Sequence, residues 1–202
     1  MNKIGSIIKL VLIALLATRA HAVVNITFTE NVGSVFATFE GSLNLNDLTS
    51  LSTNVAVSSL GGSQVYANPF FLGIGGSSHF DPYGTIIGPT SVGSGTTSII
   101  ASSSTGDFIG IGNGIGPGSN PTDVGVPTGY VSGASISGSS TWVGHSFSSL
   151  GIDVGSYTWS WGSGLNADSV TIDVVPEPSA ALFVGLVVVV MLWQQLRTRV
   201  IS

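Results

Sequence analysis

The chain predicts an all-β body, a Gly/Ser-rich antiparallel sandwich or jelly-roll-like domain, flanked by an N-terminal signal peptide and a C-terminal transmembrane helix. Three observations predict the body. Apolar and polar residues alternate at period two in short runs near both of its ends. Gly- and Pro-rich punctuation separates the runs. No helix-length window before Pro176 keeps one apolar face at period 3.6.

Taken in order, Val24, Ile26 and Phe28 alternate with Asn25, Thr27 and Thr29, the pattern of a half-buried strand. Glu30-Asn31-Val32-Gly33 supplies a turn, and residues 35–39 return as the second arm of a hairpin. Residues 41–48 begin another short strand, and residues 54–59 give a further one. From 61 to 138 the pattern is weak. Gly73-Ile74-Gly75-Gly76, Gly88-Pro89 and Gly116-Pro117-Gly118 read as turns, and residues 108–115 as a short strand with close backbone approach. The signal then sharpens. Tyr157, Trp159 and Trp161 alternate with Thr158 and Ser160, while Val170, Ile172 and Val174 alternate with Thr171 and Asp173. Gly162 and Gly164 lend turn freedom to the segment between them, so the two runs predict an antiparallel hairpin.

Charge is distributed in an unusual way. All five basic residues, Lys3, Lys9, Arg19, Arg197 and Arg199, lie in the terminal segments. Residues 23–175 hold nine carboxylates and no Lys or Arg. Nucleic-acid binding loses its electrostatic basis, and adhesion to anionic membranes is disfavoured. Cysteine is absent, so neither disulfides nor thiolate metal sites contribute. The 153 residues of this body suffice for one domain with a real core, although Gly and Ser make up 54 of them.

Both ends carry targeting signals. Lys3 and Lys9 precede an apolar run over residues 10–17, and Ala20-His21-Ala22 supplies a small-x-small cleavage pattern. Residues 1–22 therefore predict a secretory signal peptide cut after Ala22. At the other end, Pro176 and Pro178 fix φ near −65° and hold Val175 and Glu177 extended. An apolar segment over 180–196 follows, rising about 25 Å as a helix against a hydrocarbon core of about 30 Å. Nine large apolar residues within it favour insertion by about 3–5 kcal/mol in total. Arg197 can snorkel to absorb the mismatch, and Trp193 sits where an interfacial aromatic belongs. Arg197 and Arg199 set the C-terminus on the cytoplasmic side, leaving the body outside.

Pro-Glu-Pro at 176–178, an apolar span and a terminal Arg pair, in that order, resemble the PEP-CTERM sorting domain of exported bacterial proteins. The same tail also carries the label ice-binding protein C-terminal domain, which implies no ice binding. The resemblance implies that Pro176, Glu177 and Pro178 are recognised by an exosortase, a membrane-embedded cysteine transpeptidase, and that Arg197 and Arg199 form the basic stop. Residues 150–169 and 26–48 are also similar to the bodies of a subset of such proteins. The implied domains are a signal peptide at 1–22, an extracytoplasmic body at 23–175 and a sorting tail at 176–202. The basic end departs from the pattern, with two arginines followed by Val200-Ile201-Ser202.

No catalytic constellation emerges from the body. Gly144-His145-Ser146-Phe147-Ser148 nearly matches the nucleophile elbow of hydrolases, but Ser148 replaces the final glycine and no histidine follows His145. His79 and Asp81 are two ligands short of a metal site. The run from Gly110 to Gly116 lacks both the spacing and the lysine of a phosphate loop. No cofactor or metal is expected. Trp142, Tyr157, Trp159 and Trp161 remain as a candidate sugar-stacking strip for exopolysaccharide, or as core.

Overall fold

The computed structural model describes residues 23–115 and 122–176, which form two β-sheets and very little helix. In the first sheet, β1 (Val23–Asn31) and β2 (Ser34–Ser42) make the expected hairpin, with Val32 and Gly33 at its tip. Gly33 takes φ of 73°, the left-handed conformation that the tight turn requires. The long strand β12 (Ser135–Val143) pairs with β2, and the short β9 (Ser103–Gly106) closes that edge. On the other side of β1 lies β14 (Asp168–Pro176), which pairs in turn with β13 (Gly155–Trp161). The order is β13-β14-β1-β2-β12-β9.

The β13–β14 hairpin has the predicted antiparallel register, with Tyr157 opposite Ile172 and Trp159 opposite Val170. One pairing departs from an all-antiparallel sheet: β1 and β14 run parallel, from Val23 opposite Ser169 to Glu30 opposite Pro176. These strands are the first and last of the body, so no hairpin turn dictates their relative direction.

The second sheet is built from the segment that is weakly patterned in sequence. It comprises β3 (Thr49–Ser50), β4 (Val55–Ala56), β5 (Gln64–Tyr66), β6 (Phe71–Gly75), β7 (His79–Gly84), β8 (Ile99–Ile100), β10 (Phe108–Gly112) and β11 (Asp123–Pro127). Its main path is β3-β7-β11-β10-β6-β5-β8, with β4 also on β7. Leu72, Ile74, Ile109, Ile111, Val124 and Val126 from this sheet share one buried cluster with Val24, Ile26, Phe28, Val170, Ile172 and Val174 from the other. The sheets thus face each other across a common core, as in a β-sandwich.

Three sequence expectations need correction. Gly73-Ile74-Gly75, read as a turn, lies within β6. Residues 43–48 form no strand, although Leu43 and Leu45 are buried. Residues 54–59 give only the two-residue β4 and then a 3-10 turn over Val57–Leu60. The glycines explain the first miss. Gly73, Gly110 and Gly125 stand opposite one another on β6, β10 and β11, forming a row without side chains on the outer face of the second sheet. Phenylalanine rings occupy that space. A Cβ on Gly73 would come within 3.1 Å of the Phe108 ring, and one on Gly125 within 2.8 Å of Phe80. Phe80 and Phe108 pack together at 5.2 Å between centroids, with Val57 and Ile115 completing a second small core. Alternation is therefore glycine against aliphatic rather than polar against apolar.

The tryptophans tie this core to the loops. Trp159 stacks on Phe70 at 4.7 Å and Trp142 on Phe28 at 5.8 Å. Each buried indole N–H donates to a carbonyl distant in sequence: Trp142 to Ile99 at 2.9 Å, Trp159 to Pro89 at 3.1 Å and Trp161 to Asn44 at 2.8 Å. An indole thus fills the core with its body and fixes a connection with its polar edge. Trp159 is fully buried. Trp159→Ala removes the ring, the Phe70 stack and the anchor of Pro89. We expect a loss of about 3–5 kcal/mol in chemical denaturation; a variant within about 1 kcal/mol of wild type would show that the ring is not central to the core.

Candidate functional site

With no Lys or Arg in the body, its carboxylates draw their hydrogen bonds from neutral donors, chiefly backbone N–H groups. The described residues show this arrangement repeatedly. Asp81, buried on β7, accepts from Asn54 N at 2.7 Å and Gly129 N at 2.9 Å, joining the loop before β4 to the one after β11. Asp168 accepts from Asn44 N at 2.5 Å. Asp47 accepts from Ser163 N at 3.1 Å and Asn166 Nδ2 at 2.6 Å, clamping the turn between β13 and β14. Asp107 accepts from Ser137 N at 3.0 Å. Glu30 accepts from Phe147 N at 2.6 Å, at the start of the one-turn helix α1 (Phe147–Leu150). These carboxylates are structural clips that join segments distant in sequence.

The near-elbow at 144–148 is accounted for by the same helix. Ser146 is its N-cap, in a reciprocal capping box with Ser149, and the Ser149 hydroxyl also lies 3.1 Å from His145 Nδ1. His79 Nδ1 lies 3.0 Å from the neighbouring Ser78 hydroxyl, while Asp81 is engaged by the two loop amides. No group of three or more His, Cys, Asp or Glu side chains suited to a metal gathers among the described residues.

The proposed sugar strip is corrected by burial. Trp142 and Trp159 are fully inaccessible and Trp161 is 6% exposed. Tyr157 is half-buried, and its hydroxyl donates to Asp153 O at 3.1 Å. Period-two alternation does put Tyr157, Trp159 and Trp161 on one face, but that face is the core, so none of the three indoles offers a ring to a pyranose. The outward face of the first sheet instead carries hydroxyls. One row across its six strands reads Thr105, Ser139, Thr38, Thr27, Asp173 and Ser156. An open groove of about 510 Å³ lies at one end of this face, lined by Asn25, Glu40, Ser42, Ser135 and Ser137 among others. A polar outer face of this kind is the ordinary state of an antiparallel sheet covered on one side.

The predicted sorting motif begins at the last described residue of β14. Pro176 is the last residue of β14, exposed and opposite Glu30 at the rim of the first sheet. Ala20, Ala22, Glu177, Pro178, Arg197, Arg199 and the segment 180–196 lie outside the described residues. Among the described residues, no helix is long and apolar enough to cross a membrane. Comparison with protein-family models, curated proteins and solved structures finds no match to this chain.

Two outcomes test the roles of the polar groups. Asp81→Ala strands two loop amides, and we expect a loss of about 1–3 kcal/mol in denaturant titration; an unchanged midpoint would remove Asp81 from the set of clips. Tyr130 concerns pH. Its hydroxyl accepts from Leu43 N at 2.8 Å and donates to Ala134 O at 2.6 Å, and burial raises its pKa above the ordinary value. The folded state therefore favours the neutral phenol. Its contribution is complete below about pH 10 and is lost as pH climbs through the raised folded value. Tyr130→Phe should flatten the alkaline limb of the stability profile, and an identical limb in both proteins would refute the assignment.

Proposed function

We propose that this chain is an exported cell-surface or extracellular-matrix protein with a structural or interaction role. Its address is a PEP-CTERM-type tail handled by an exosortase-type transpeptidase. The observation that carries the reading is the order of three unlike signals immediately after the last strand: Pro176-Glu177-Pro178, the apolar segment 180–196, and Arg197 with Arg199. The placement of Pro176 supports it. A processing enzyme needs an extended, accessible strip, and β14 brings Pro176, exposed, to the sheet rim. A signal peptide over 1–22, cut after Ala22, supplies export, and the segment 180–196 supplies a transmembrane hold before processing. The body is read as a non-enzymatic acidic sandwich with jelly-roll-like character. Carbohydrate binding as an alternative loses its platform of exposed indoles and would have to rest on the hydroxylated face.

Changing Pro176, Glu177 and Pro178 together to alanine should leave export intact and block removal of the tail. Intact-mass measurement of surface protein from a host that has the processing enzyme reads this directly. Equal tail loss in wild type and triple variant would defeat the sorting assignment.

A further inference from the structure

The large apolar side chains that the body exposes are unevenly placed. Of the nine such residues among those described, Val32, Phe36, Val143, Val154 and Val175 lie at one end of the first sheet, with exposures between 39% and 100%. The register brings them together. Val175 stands opposite Thr29, Thr29 opposite Phe36, and Phe36 opposite Thr141. Gly155 faces Val174, which sets Val154 next to Val175. Val143 faces Ser34, one step beyond Phe36. Val32 is at the tip of the β1–β2 turn, tied to the end of β12 by the bond from Gly144 N to Gly33 O at 2.6 Å. Phe36, Val143, Val154 and Val175 all occupy the outward face, because their neighbours Val35, Trp142 and Val174 point into the core.

This is also the end at which the chain leaves the body. From Pro176 to Ala180 there are four residue steps, which span at most about 14 Å. If residue 180 enters the hydrocarbon, the sheet rim is held within the headgroup layer or just above it. The carboxylates follow the same polarity. Glu30 and Asp153 lie at this end of the first sheet, with Glu30 turned toward Phe147 N, and Asp173 stands in the middle row of the outward face, one same-face position from Val175. Glu40, Asp107, Asp47 and Asp168 belong to its middle and opposite end. An acidic body without cations gains nothing from anionic lipid, so apolar contact is the form of attachment open to it.

We propose that the rim formed by Val32, Phe36, Val143, Val154 and Val175 rests in the interface of the bilayer that holds the tail, before the tail is removed. This inference rests on the anchoring role given above to 180–196. It fixes the orientation of the precursor: the β1–β2 turn and the end of β14 face the lipid, and Val23 and the loop around Leu165 face away.

The absence of cysteine makes a clean test available. Single cysteines replacing Val143, Leu165 or Val187 in the full chain would carry a nitroxide label in phosphatidylcholine vesicles. Accessibility to oxygen relative to a water-soluble nickel chelate reads depth. The label at 187 should report hydrocarbon, the one at 165 water, and the one at 143 a ratio several-fold above that at 165. Val154→Asp, a surface change, should lower the ratio at 143 toward that at 165. A buried label at 187 with an aqueous label at 143 overturns this proposal alone. An aqueous label at 187 overturns the anchoring reading, and this proposal with it.

Discussion

The exclusion of Lys and Arg from the body shapes most of what the structure does with polar groups. A carboxylate without a cation nearby takes its hydrogen bonds from neutral donors, and here most of them are backbone N–H groups. Backbone donors unused by a sheet ladder are found in loops, so the acids come to lie where loops meet. Asp81 between Asn54 and Gly129, Asp47 at the 163–166 turn, and Glu30 at the start of α1 follow this logic. Connections rich in Gly and Ser lack the apolar bulk to order themselves. In this body the acids perform that task, and the lack of bases keeps them from being drawn into surface ion pairs, which contribute little.

Aromatic residues act on the loops from the inside. Three indoles reach from the core to the carbonyls of Ile99, Pro89 and Asn44. The carboxylates bind amides and the indoles bind carbonyls, so the two sets satisfy opposite halves of the loop backbone. The glycine row adds a third device. By leaving the outer face of the second sheet bare at Gly73, Gly110 and Gly125, it lets Phe80 and Phe108 lie against the strands and close a second apolar layer. Both rings are thereby buried on the face of the sheet that points away from the main core.

Legibility from sequence followed the strength of period-two alternation. The β1–β2 and β13–β14 hairpins were readable because Ile26, Phe28, Trp159 and Ile172 each alternate with a polar neighbour. The second sheet was not, because Gly73 and Gly110 occupy the places where polar residues would have marked the outer face. Pairing of β1 with β14 was hidden for a different reason: contacts between chain ends leave no local signature. The aromatic strip shows the limit for site prediction. Alternation tells which residues share a face but not whether that face meets water, and for Trp159 only the second layer above it decides. The tail motif was legible as chemistry, while the rim of apolar side chains beside it needed the register of five strands.

The parallel pairing of β1 with β14 has a mechanical consequence. β14 is flanked by a ladder on each side, and the chain departs at Pro176, opposite the end where β1 begins at Val23. A pull delivered through the C-terminus, whether by a membrane segment or by a polymer joined there, runs along the strand axis. Against a hold at Val23, the far end of the parallel β1–β14 pair, the hydrogen bonds between these two strands are loaded together in shear rather than peeled apart in succession. Tension must then break many bonds at once before the strand slides. Tension applied instead between Pro176 and the start of β13, which lies beside the same end of β14, would peel the bonds of that antiparallel pair in succession. The topology therefore lets the body resist tension applied between Val23 and Pro176 along its first and last strands.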